Sequence, residues 1–294
     1  MNERVPDFSH LVKRHPCLGG GPGTRAGRLH LPVSPACNLQ CRFCQRSFNG
    51  VEERPGVTRG ILKVEDVPGV LARALELCPE ISVVGIAGPG DTLASDHAIR
   101  AFRLVHELQP GLIKCLSTNG LLLEARLPEL LAVGVATVTV TVNAVRPATV
   151  AGIVASVGMP GHRLTGEEGA RLLTGRQLAG IRAAADAGLL VKVNMVLIPG
   201  LNADEVAETA RAVREAGAAL FNLIPLLPQG EFAHLPVPSC TDLHAARTAA
   251  EAHVPVFRHC QHCRADAVGI PGVSDLSSEV YGSLGRPVET FSHG

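Results

Sequence analysis

The feature of this 294-residue chain that most constrains its fold is the alternation of short β-branched runs with longer helical stretches. The runs predict strands at 28–34, 81–87, 112–118, 136–143, 189–198 and 219–224. Helices are predicted near 65–78, 95–108, 123–133, 167–187, 203–216 and 241–252. Strand, helix and strand in series imply right-handed crossovers and a parallel sheet. We therefore expect an α/β protein with a partial (β/α)6 barrel of TIM type, and a doubly wound open sheet is the alternative.

The positions of polar residues within these strands predict a polar barrel interior. In the fourth strand, Thr137, Thr139 and Thr141 alternate with valines. Because parallel strands covered by helices turn their apolar face outward, the polar face should line the lumen. Ordinary eight-stranded barrels fill the lumen with branched apolar side chains, so a polar lumen indicates a bound ligand. The other residues on polar faces are His30, Ser34, Cys115, Ser117, Asn119, Asn143, Lys192, Asn194 and Asn222.

Charge and hydropathy argue against several classes of partner. Lys plus Arg and Asp plus Glu both number 27, and no basic stripe suits a phosphate backbone, so we expect no nucleic-acid partner. The sequence has no signal peptide and no apolar run long enough to span a bilayer, which predicts a cytoplasmic protein without membrane contact. Because cytoplasmic thiols are kept reduced, the nine cysteines indicate metal ligands more than disulfides.

A cysteine motif, SPACNLQCRFC, directly follows the first predicted strand. Its thiolates, Cys37, Cys41 and Cys44, could bind three irons of a [4Fe–4S] cluster and leave the fourth iron open for substrate. The alternative is a closed zinc site of Cys3His type, which requires a fourth ligand. Residues 45–58 contain neither Cys nor His, so we favour the cluster.

A second set of cysteines flanks the predicted barrel. Cys260 and Cys263 form a C-x-x-C pair, which could bind zinc, form a disulfide or hold a cluster. If the N-terminal segment folds back under the barrel, Cys17 could join them as a third iron–sulfur ligand. The glycine-rich stretch 18–27 lacks the Lys of a P-loop and is predicted to be a flexible linker, and 270–294 an irregular tail. We expect buried Cys78 and Cys240, and exposed His259 and His262.

The triad, with Phe43 before its last cysteine, resembles the signature of the radical S-adenosylmethionine (SAM) superfamily. In that superfamily the open iron binds the amino and carboxylate groups of SAM. The resemblance implies that GIAGPGD at 85–91 presents backbone groups to the methionine part of SAM, through Gly88, Pro89, Gly90 and Asp91. It also implies contacts with the ribose and carboxylate from Ser117, Asn119, Asn143 and Asn194.

A longer series of motifs narrows the resemblance to the NifB family, the radical SAM proteins of nitrogenase cofactor assembly in nitrogen fixation. The motifs run from about His15 to Gly269 and are HPC, PACNLQCRFC, RPGV, GIAGPGD, CLSTNG, RQLAGI, VKVN and RHCQHCRADAVG. The resemblance implies an N-terminal cluster-binding extension (1–27), a radical SAM barrel (28–257) and a C-terminal cluster-binding motif and tail (258–294). We expect the extra cofactor-binding domain of longer family members to be absent.

The NifB resemblance also implies a reaction, that of a lyase-type radical SAM enzyme. Cys17, Cys260 and Cys263 would carry one precursor [4Fe–4S] cluster, and His30 and Cys115 the other. One SAM would donate a methyl group to a cluster sulfide. A 5′-deoxyadenosyl radical from SAM would then abstract hydrogen from that methyl. The product would be the eight-iron carbide precursor called NifB-co. Expected partners are iron–sulfur delivery proteins, cofactor carrier or scaffold proteins, and an electron donor.

One departure from the family concerns a cysteine expected about six residues after the triad. Here the region reads QRSFNGVEERPGV and contains no cysteine. The His30/Cys115 cluster would therefore have fewer protein ligands, or would take an oxygen from Asn49, Glu52 or Glu53. Glu52 aligns with an acidic residue of the family and is a candidate catalytic proton relay. Two other functions stay open, a radical SAM enzyme for an organic or peptide substrate with an auxiliary cluster, and a passive iron–sulfur carrier.

Overall fold

The computed structural model of the protein describes residues 8–18, 25–282 and 284. Most of the glycine-rich stretch and the end of the predicted tail lie outside these residues. The strands are β1 (Gly27–His30), β2 (Leu39–Cys41), β3 (Ser47–Phe48), β4 (Val57–Thr58), β5 (Ile81–Ile86), β6 (Ile113–Thr118), β7 (Val135–Thr141), β8 (Val154–Met159), β9 (His162–Leu164), β10 (Leu190–Leu197), β11 (Leu220–Pro225), β12 (Val256–Phe257) and β13 (Val268–Gly269). The α-helices are α1 (Ser9–Arg14), α2 (Val67–Leu77), α3 (His97–Leu108), α4 (Leu123–Ala132), α5 (Pro147–Ile153), α6 (Gly166–Asp186), α7 (Val206–Glu215), α8 (Cys240–Glu251) and α9 (Ser277–Tyr281).

The central sheet has the strand order β12-β11-β10-β7-β6-β5-β1-β13. All neighbouring pairs are parallel except β1 and β13. The predicted strands correspond to β1, β5, β6, β7, β10 and β11, and the predicted helices to α2, α3, α4, α6, α7 and α8. Because these strands follow chain order without the reversal of a doubly wound sheet, the α/β barrel prediction is confirmed.

The sheet curls into a partial barrel. In a flat sheet β1 and β10 would lie four strand spacings apart, about 19 Å. Yet the Lys192 ammonium on β10 is close enough to His30 on β1 to lower the pKa of that imidazole. The curl therefore brings side chains from opposite edges of the sheet into one lumen.

The open side of the barrel is crossed by the chain itself. Strand β12 pairs with β11 at one edge, and β13 pairs with β1 at the other. Residues 258–267 run between these two edges and carry the C-x-x-C pair into the opening. The prediction of an irregular tail is wrong for α9. The side chain of Tyr281 at the end of this helix is buried, and its hydroxyl donates a hydrogen bond to the backbone oxygen of His30 on β1 at 2.6 Å.

The two faces of the sheet differ as the strand pattern predicts. The valines of β7 belong to the main apolar core under the helices. The lower lumen departs from the polar prediction, because Val83, Ile113 and Leu190 pack there against Leu11 and Leu18. Helix α1 thus closes the amino ends of the strands, and only the part of the lumen above it is polar. Within the part of the chain that the structure describes, the helices lack the length and apolar character needed to cross a bilayer.

Candidate functional site

The triad Cys37, Cys41 and Cys44 lies in the loop that follows β1 at the carboxyl ends of the parallel strands. Strand β2 within this loop pairs antiparallel with β8, which places Cys41 opposite Val154. The backbone N–H of Cys44 donates to the oxygen of Cys41 at 3.0 Å, so the second half of the motif forms a turn. These pairings hold the loop in one conformation. Phe43 packs against the apolar cluster behind it.

The three thiols of the triad are electrostatic neighbours. Burial raises the pKa of Cys37 to about 11 and also raises the pKa of Cys41. The charges of Cys37 and Cys44 raise the pKa of Cys41 further, while Arg46 lowers it. Thiols with such pKa values are protonated at neutral pH and lose their protons when a metal binds. This is the donor set that suits an iron–sulfur cluster.

The GPGD loop after β5 is hydrogen-bonded to the first residues of the triad loop. The N–H of Gly90 donates to Ser34 O at 2.7 Å, and the N–H of Asp91 donates to Ala36 O at 2.8 Å. A Cβ at Gly90 would lie 2.0 Å from Ala36 O, so only glycine fits this contact. These two N–H groups are thus used within the protein and are not left for SAM.

The Asp91 side chain joins the ends of two strands. Its buried carboxylate accepts hydrogen bonds from Thr118 Oγ1 at 3.0 Å and from the N–H of Asn119 at 2.6 Å. Burial raises the pKa of Asp91, and these donors oppose the rise. Asn119 in turn donates from Nδ2 to Asn38 Oδ1 at 2.6 Å. Asp91 and Asn119 therefore position the loops around the triad.

A pocket of about 340 Å³, including the space at its mouth, opens beside Cys41. Its walls are mostly apolar, with amide groups from Asn119, Asn143 and Gln177. The buried Nδ2 of Asn38, whose Oδ1 accepts from the pocket residue Asn119, has no hydrogen-bond partner in the protein. The buried Oγ of Ser34, whose backbone oxygen accepts from Gly90, also has none. An apolar slot with amide edges and unpartnered polar atoms fits a nucleoside that carries a charged amino-acid tail. The residues present therefore fit SAM.

The remaining residues implied for SAM lie on or near the polar strand faces. Ser117 is half-buried on β6. Asn143 accepts a hydrogen bond on Oδ1 from the N–H of Val196 at 2.9 Å. Asn194 lies on β10, where its Oδ1 accepts from Asn222 Nδ2 at 3.1 Å. Asn143 thus lines the pocket, while Asn194 is linked to the neighbouring strand.

A second group of candidate ligands occupies the lumen, and we call it the chamber: Cys17, His30, Cys115, Cys260 and Cys263. The imidazole and the Cys115 thiol lie side by side above Gly85. A Cβ at Gly85 would be 3.2 Å from His30 Nε2 and 3.1 Å from Cys115 Sγ. Glycine at this position makes room for both side chains.

The hydrogen bond of His30 sets its tautomer. Nδ1 lies 3.0 Å from the backbone oxygen of Arg264, and since a carbonyl only accepts, Nδ1 carries the proton. Burial lowers the pKa of His30 to about 4, so the ring is neutral and Nε2 keeps its lone pair. A neutral imidazole whose other nitrogen donates to a carbonyl is the usual form of a metal-binding histidine.

The thiols of the chamber come from three distant parts of the chain. Cys17 is close enough to Cys115 and Cys263 to raise the pKa of both thiols. Burial raises those pKa values to about 12 and about 11, respectively. Cys260 also acts on Cys263, so the C-x-x-C pair faces the thiol from the N-terminal segment. Among the described residues, no group of three or more His, Cys, Asp or Glu is placed to hold a single metal ion.

The loop that lacks the expected cysteine carries its own hydrogen-bond network. The Glu52 carboxylate accepts from Ser47 Oγ at 3.0 Å and pairs with Arg54 at 2.6 Å. Asn49 Nδ2 also donates to Glu52. Glu53 is exposed. The side chains proposed as substitute ligands are thus engaged with each other or turned to solvent.

Several residues of the site carry roles that the sequence did not reveal. Gly85 clears the space for the chamber. His15 accepts the N–H of Cys17 on Nδ1 at 3.1 Å and so orients that cysteine. Arg264 and Asp266 form a buried ion pair at 2.8 Å beside His30. The only advance signal for them was their presence in the HPC, GIAGPGD and RADAVG motifs.

The predictions for the other cysteines and histidines had mixed outcomes. Cys78 is buried as predicted. Cys240 is exposed, and the prediction of burial was wrong because the residue begins α8 on the solvent side. His259 is exposed and His262 half-buried.

Sequence comparisons assign the chain to a known family. The family model of the radical SAM superfamily matches residues 31–213. The FeMo cofactor biosynthesis protein NifB of Methanocaldococcus infernus is 43% identical over 281 residues, which cover 95% of this chain and 93% of that protein. The NifB of Methanocaldococcus jannaschii is 40% identical, with 98% and 96% covered. The NifB of Klebsiella pneumoniae is 42% identical over 91% of this chain, but only 59% of that longer protein is covered.

Solved structures show the same fold at low sequence identity. A radical SAM methyltransferase from Sphaerobacter thermophilus has a TM-score of 0.55 at 20% identity, with 79% of this chain and 64% of that one covered. The structure of anSMEcpe with AdoMet and a peptide has a TM-score of 0.54 at 17% identity, with 78% and 63% covered. The chain thus spans less than two thirds of either structure.

Proposed function

Because the chain belongs to the radical SAM superfamily and, within it, to the NifB family, we propose that it builds the eight-iron carbide precursor of the nitrogenase cofactor. Its substrates would be two [4Fe–4S] clusters, and SAM would supply the carbon. One observation carries the proposal: a single barrel holds both the triad beside an apolar pocket with amide groups at its edge and a separate chamber of four thiols and a neutral imidazole.

The triad residues would hold the resident cluster. Cys37, Cys41 and Cys44 supply three thiolates, and the described loop offers no fourth. When bound, the cluster and SAM supply an electron, a methyl group and a 5′-deoxyadenosyl radical. The chain orients SAM through the pocket walls and through the loops that Asp91 and Asn119 hold. The apolar residues of the pocket exclude water from the reacting centre.

The chamber residues would hold the two substrate clusters. His30 Nε2 and Cys115 Sγ, which lie side by side above Gly85, would bind one cluster. The thiols of Cys17, Cys260 and Cys263 would bind the other. Cys115 is an electrostatic neighbour of both Cys17 and Cys263. This proximity supports a reaction that joins two clusters, because bond formation between them requires that they be held side by side.

Proton transfer would fall to Glu52. Its side chain is partly exposed and hydrogen-bonded to Ser47, Asn49 and Arg54, which lower its pKa. Such a carboxylate is ionised at neutral pH and can accept a proton. We also propose that the protein works in the cytoplasm with iron–sulfur delivery proteins, cofactor carrier or scaffold proteins and an electron donor.

The proposal predicts a specific iron count. Anaerobic reconstitution should load about twelve irons per chain, from three four-iron clusters. The double variant His30→Ala, Cys115→Ser should hold about eight, and it should no longer incorporate carbon from the labelled methyl group of SAM into an iron–sulfur product. Iron analysis and isotope counting of the extracted product measure both effects.

Cys240→Ser, which removes an exposed thiol outside both sites, is the control and should load like the parent protein. About eight irons in the parent protein, from the triad cluster and one auxiliary cluster, would point to an enzyme for an organic or peptide substrate. About twelve irons without formation of 5′-deoxyadenosine would point to a passive carrier.

A further inference from the structure

A buried lysine, Lys192, lies in the barrel lumen next to the chamber. Lys192 on β10 is 7% exposed, and its Nζ lies 3.4 Å from the backbone oxygen of Cys17. The ring of Phe257 lies 5.4 Å from the same nitrogen and forms one wall around it. Among the described residues, no carboxylate lies within ion-pair distance of this ammonium.

A second cation faces the chamber from the opposite edge of the sheet. Arg28 on β1 donates from Nη1 to Gly269 O at 3.4 Å. It also donates to the thiol of Cys263, which lowers the pKa of that thiol against the effect of burial. Lys192 acts in the same direction on Cys115. The two cations thus flank the thiols from both sides.

The described carboxylates near the chamber do not balance these charges. Asp266 faces His30, but its carboxylate is already paired with Arg264 and Arg59. Taking an ammonium out of water without a counter-ion is costly, and because Lys192 lies beside the thiols of the chamber, an anionic ligand bound there would supply the missing negative charge. Thiolate-ligated iron–sulfur clusters are such ligands, and hydrogen bonds to their sulfurs and nearby charges set their potentials.

We propose that Lys192 and Arg28 are positioning residues that retain the substrate clusters in the chamber by charge and by hydrogen bonds to sulfur. The inference rests on the proposed function and deepens it. It also provides a means by which this chain could hold the cluster at His30 and Cys115 with few protein ligands. Retention would then depend on Lys192 as well as on the ligands themselves.

The chain offers a matched control for the test. Lys114 on β6 is even more buried than Lys192, at 1% exposed, and its Nζ likewise donates to a backbone oxygen, that of Leu112, but Lys114 belongs to neither the chamber nor the triad. Lys192→Met and Lys114→Met therefore remove the same charge from two buried sites. Lys192→Gln keeps a hydrogen-bond donor without the charge, and Lys192→Arg keeps the charge.

Each variant is reconstituted anaerobically, and two quantities are measured: the release of iron to a chelator and the midpoint potentials followed by EPR. In Lys192→Met we expect the iron above the four of the triad cluster to be released about tenfold faster, equivalent to ~1.4 kcal/mol. The potentials of the chamber clusters should become more negative, because a nearby positive charge favours the reduced state. Lys192→Arg should restore both values, and Lys192→Gln should restore neither fully.

The outcomes separate the two proposals. If the parent protein loads about twelve irons but Lys192→Met and Lys192→Gln behave like Lys114→Met, the inference is overturned and the proposed function stands. If the parent protein loads no more than about eight irons, both are overturned. Should Lys192→Met fail to fold, the comparison of Lys192→Gln with Lys192→Arg decides.

Discussion

Cys41→Ser should reduce the formation of 5′-deoxyadenosine from SAM by at least about a thousandfold, equivalent to ~4 kcal/mol of barrier. The thiol of Cys41 lines the pocket and lies next to Cys37 and Cys44. A serine hydroxyl is a much weaker ligand for iron than a soft thiolate, so the cluster would be lost or left with two protein ligands. Anaerobic turnover under reductant, with chromatography of the nucleoside product, measures the effect.

The matched control for this variant is Cys240→Ser. Cys240 is exposed at the start of α8, far along the chain from the triad, and its replacement should leave the rate unchanged. If Cys41→Ser retains the rate of the control, the triad does not hold the cluster that cleaves SAM.

Asp266→Ala should lower the free energy of unfolding by about 3–5 kcal/mol, because it leaves a buried guanidinium without its partner. The side chain of Arg264 is 2% exposed and that of Asp266 fully buried. Arg264 also donates to the backbone oxygens of Asn49 and Glu52, at 2.7 and 2.6 Å. Loss of Asp266 should therefore also loosen the loop that contains Glu52. Denaturant titration of the metal-free protein measures the stability.

An exposed ion pair supplies the comparison for Asp266. Arg73 and Glu76 pair on α2 at 2.9 Å, with 48% and 71% of their side chains exposed. Glu76→Ala should cost no more than about 0.5 kcal/mol. Equal losses in the two variants would mean that the Arg264–Asp266 pair has no special structural role.

The central sheet was predictable because its strands carry their own signals. Runs of β-branched residues mark β7 and β10, and their period-two alternation assigns each side chain to a face. The alternation within each strand predicted that His30 and Cys115 lie on the polar face, and in the structure the two side chains lie side by side above Gly85. The local sequence pattern was sufficient to predict the sheet because its neighbouring parallel strands follow one another in chain order.

The features that were missed depend on contacts between distant residues. Strand β8 owes its place to pairing with the short β2 in the triad loop, and β2 itself is too short to give a strand signal. Residues 258–267 cross the barrel opening only because β12 and β13 join opposite edges. The buried charge of Asp266 is balanced by Arg59, which lies 207 positions away. The apolar lower lumen likewise follows from the docking of α1, which no strand pattern shows.

The proposed function requires a cluster held by three cysteines with one iron open to SAM. The direct test is EPR of the anaerobically reconstituted, reduced protein, recorded before and after SAM is added. We predict a [4Fe–4S] signal that changes shape on addition of SAM, both in the parent protein and in the variant His30→Ala, Cys115→Ser, and that is missing from Cys41→Ser. A protein that holds zinc in place of iron, or a signal that SAM leaves unchanged, would contradict the proposed function.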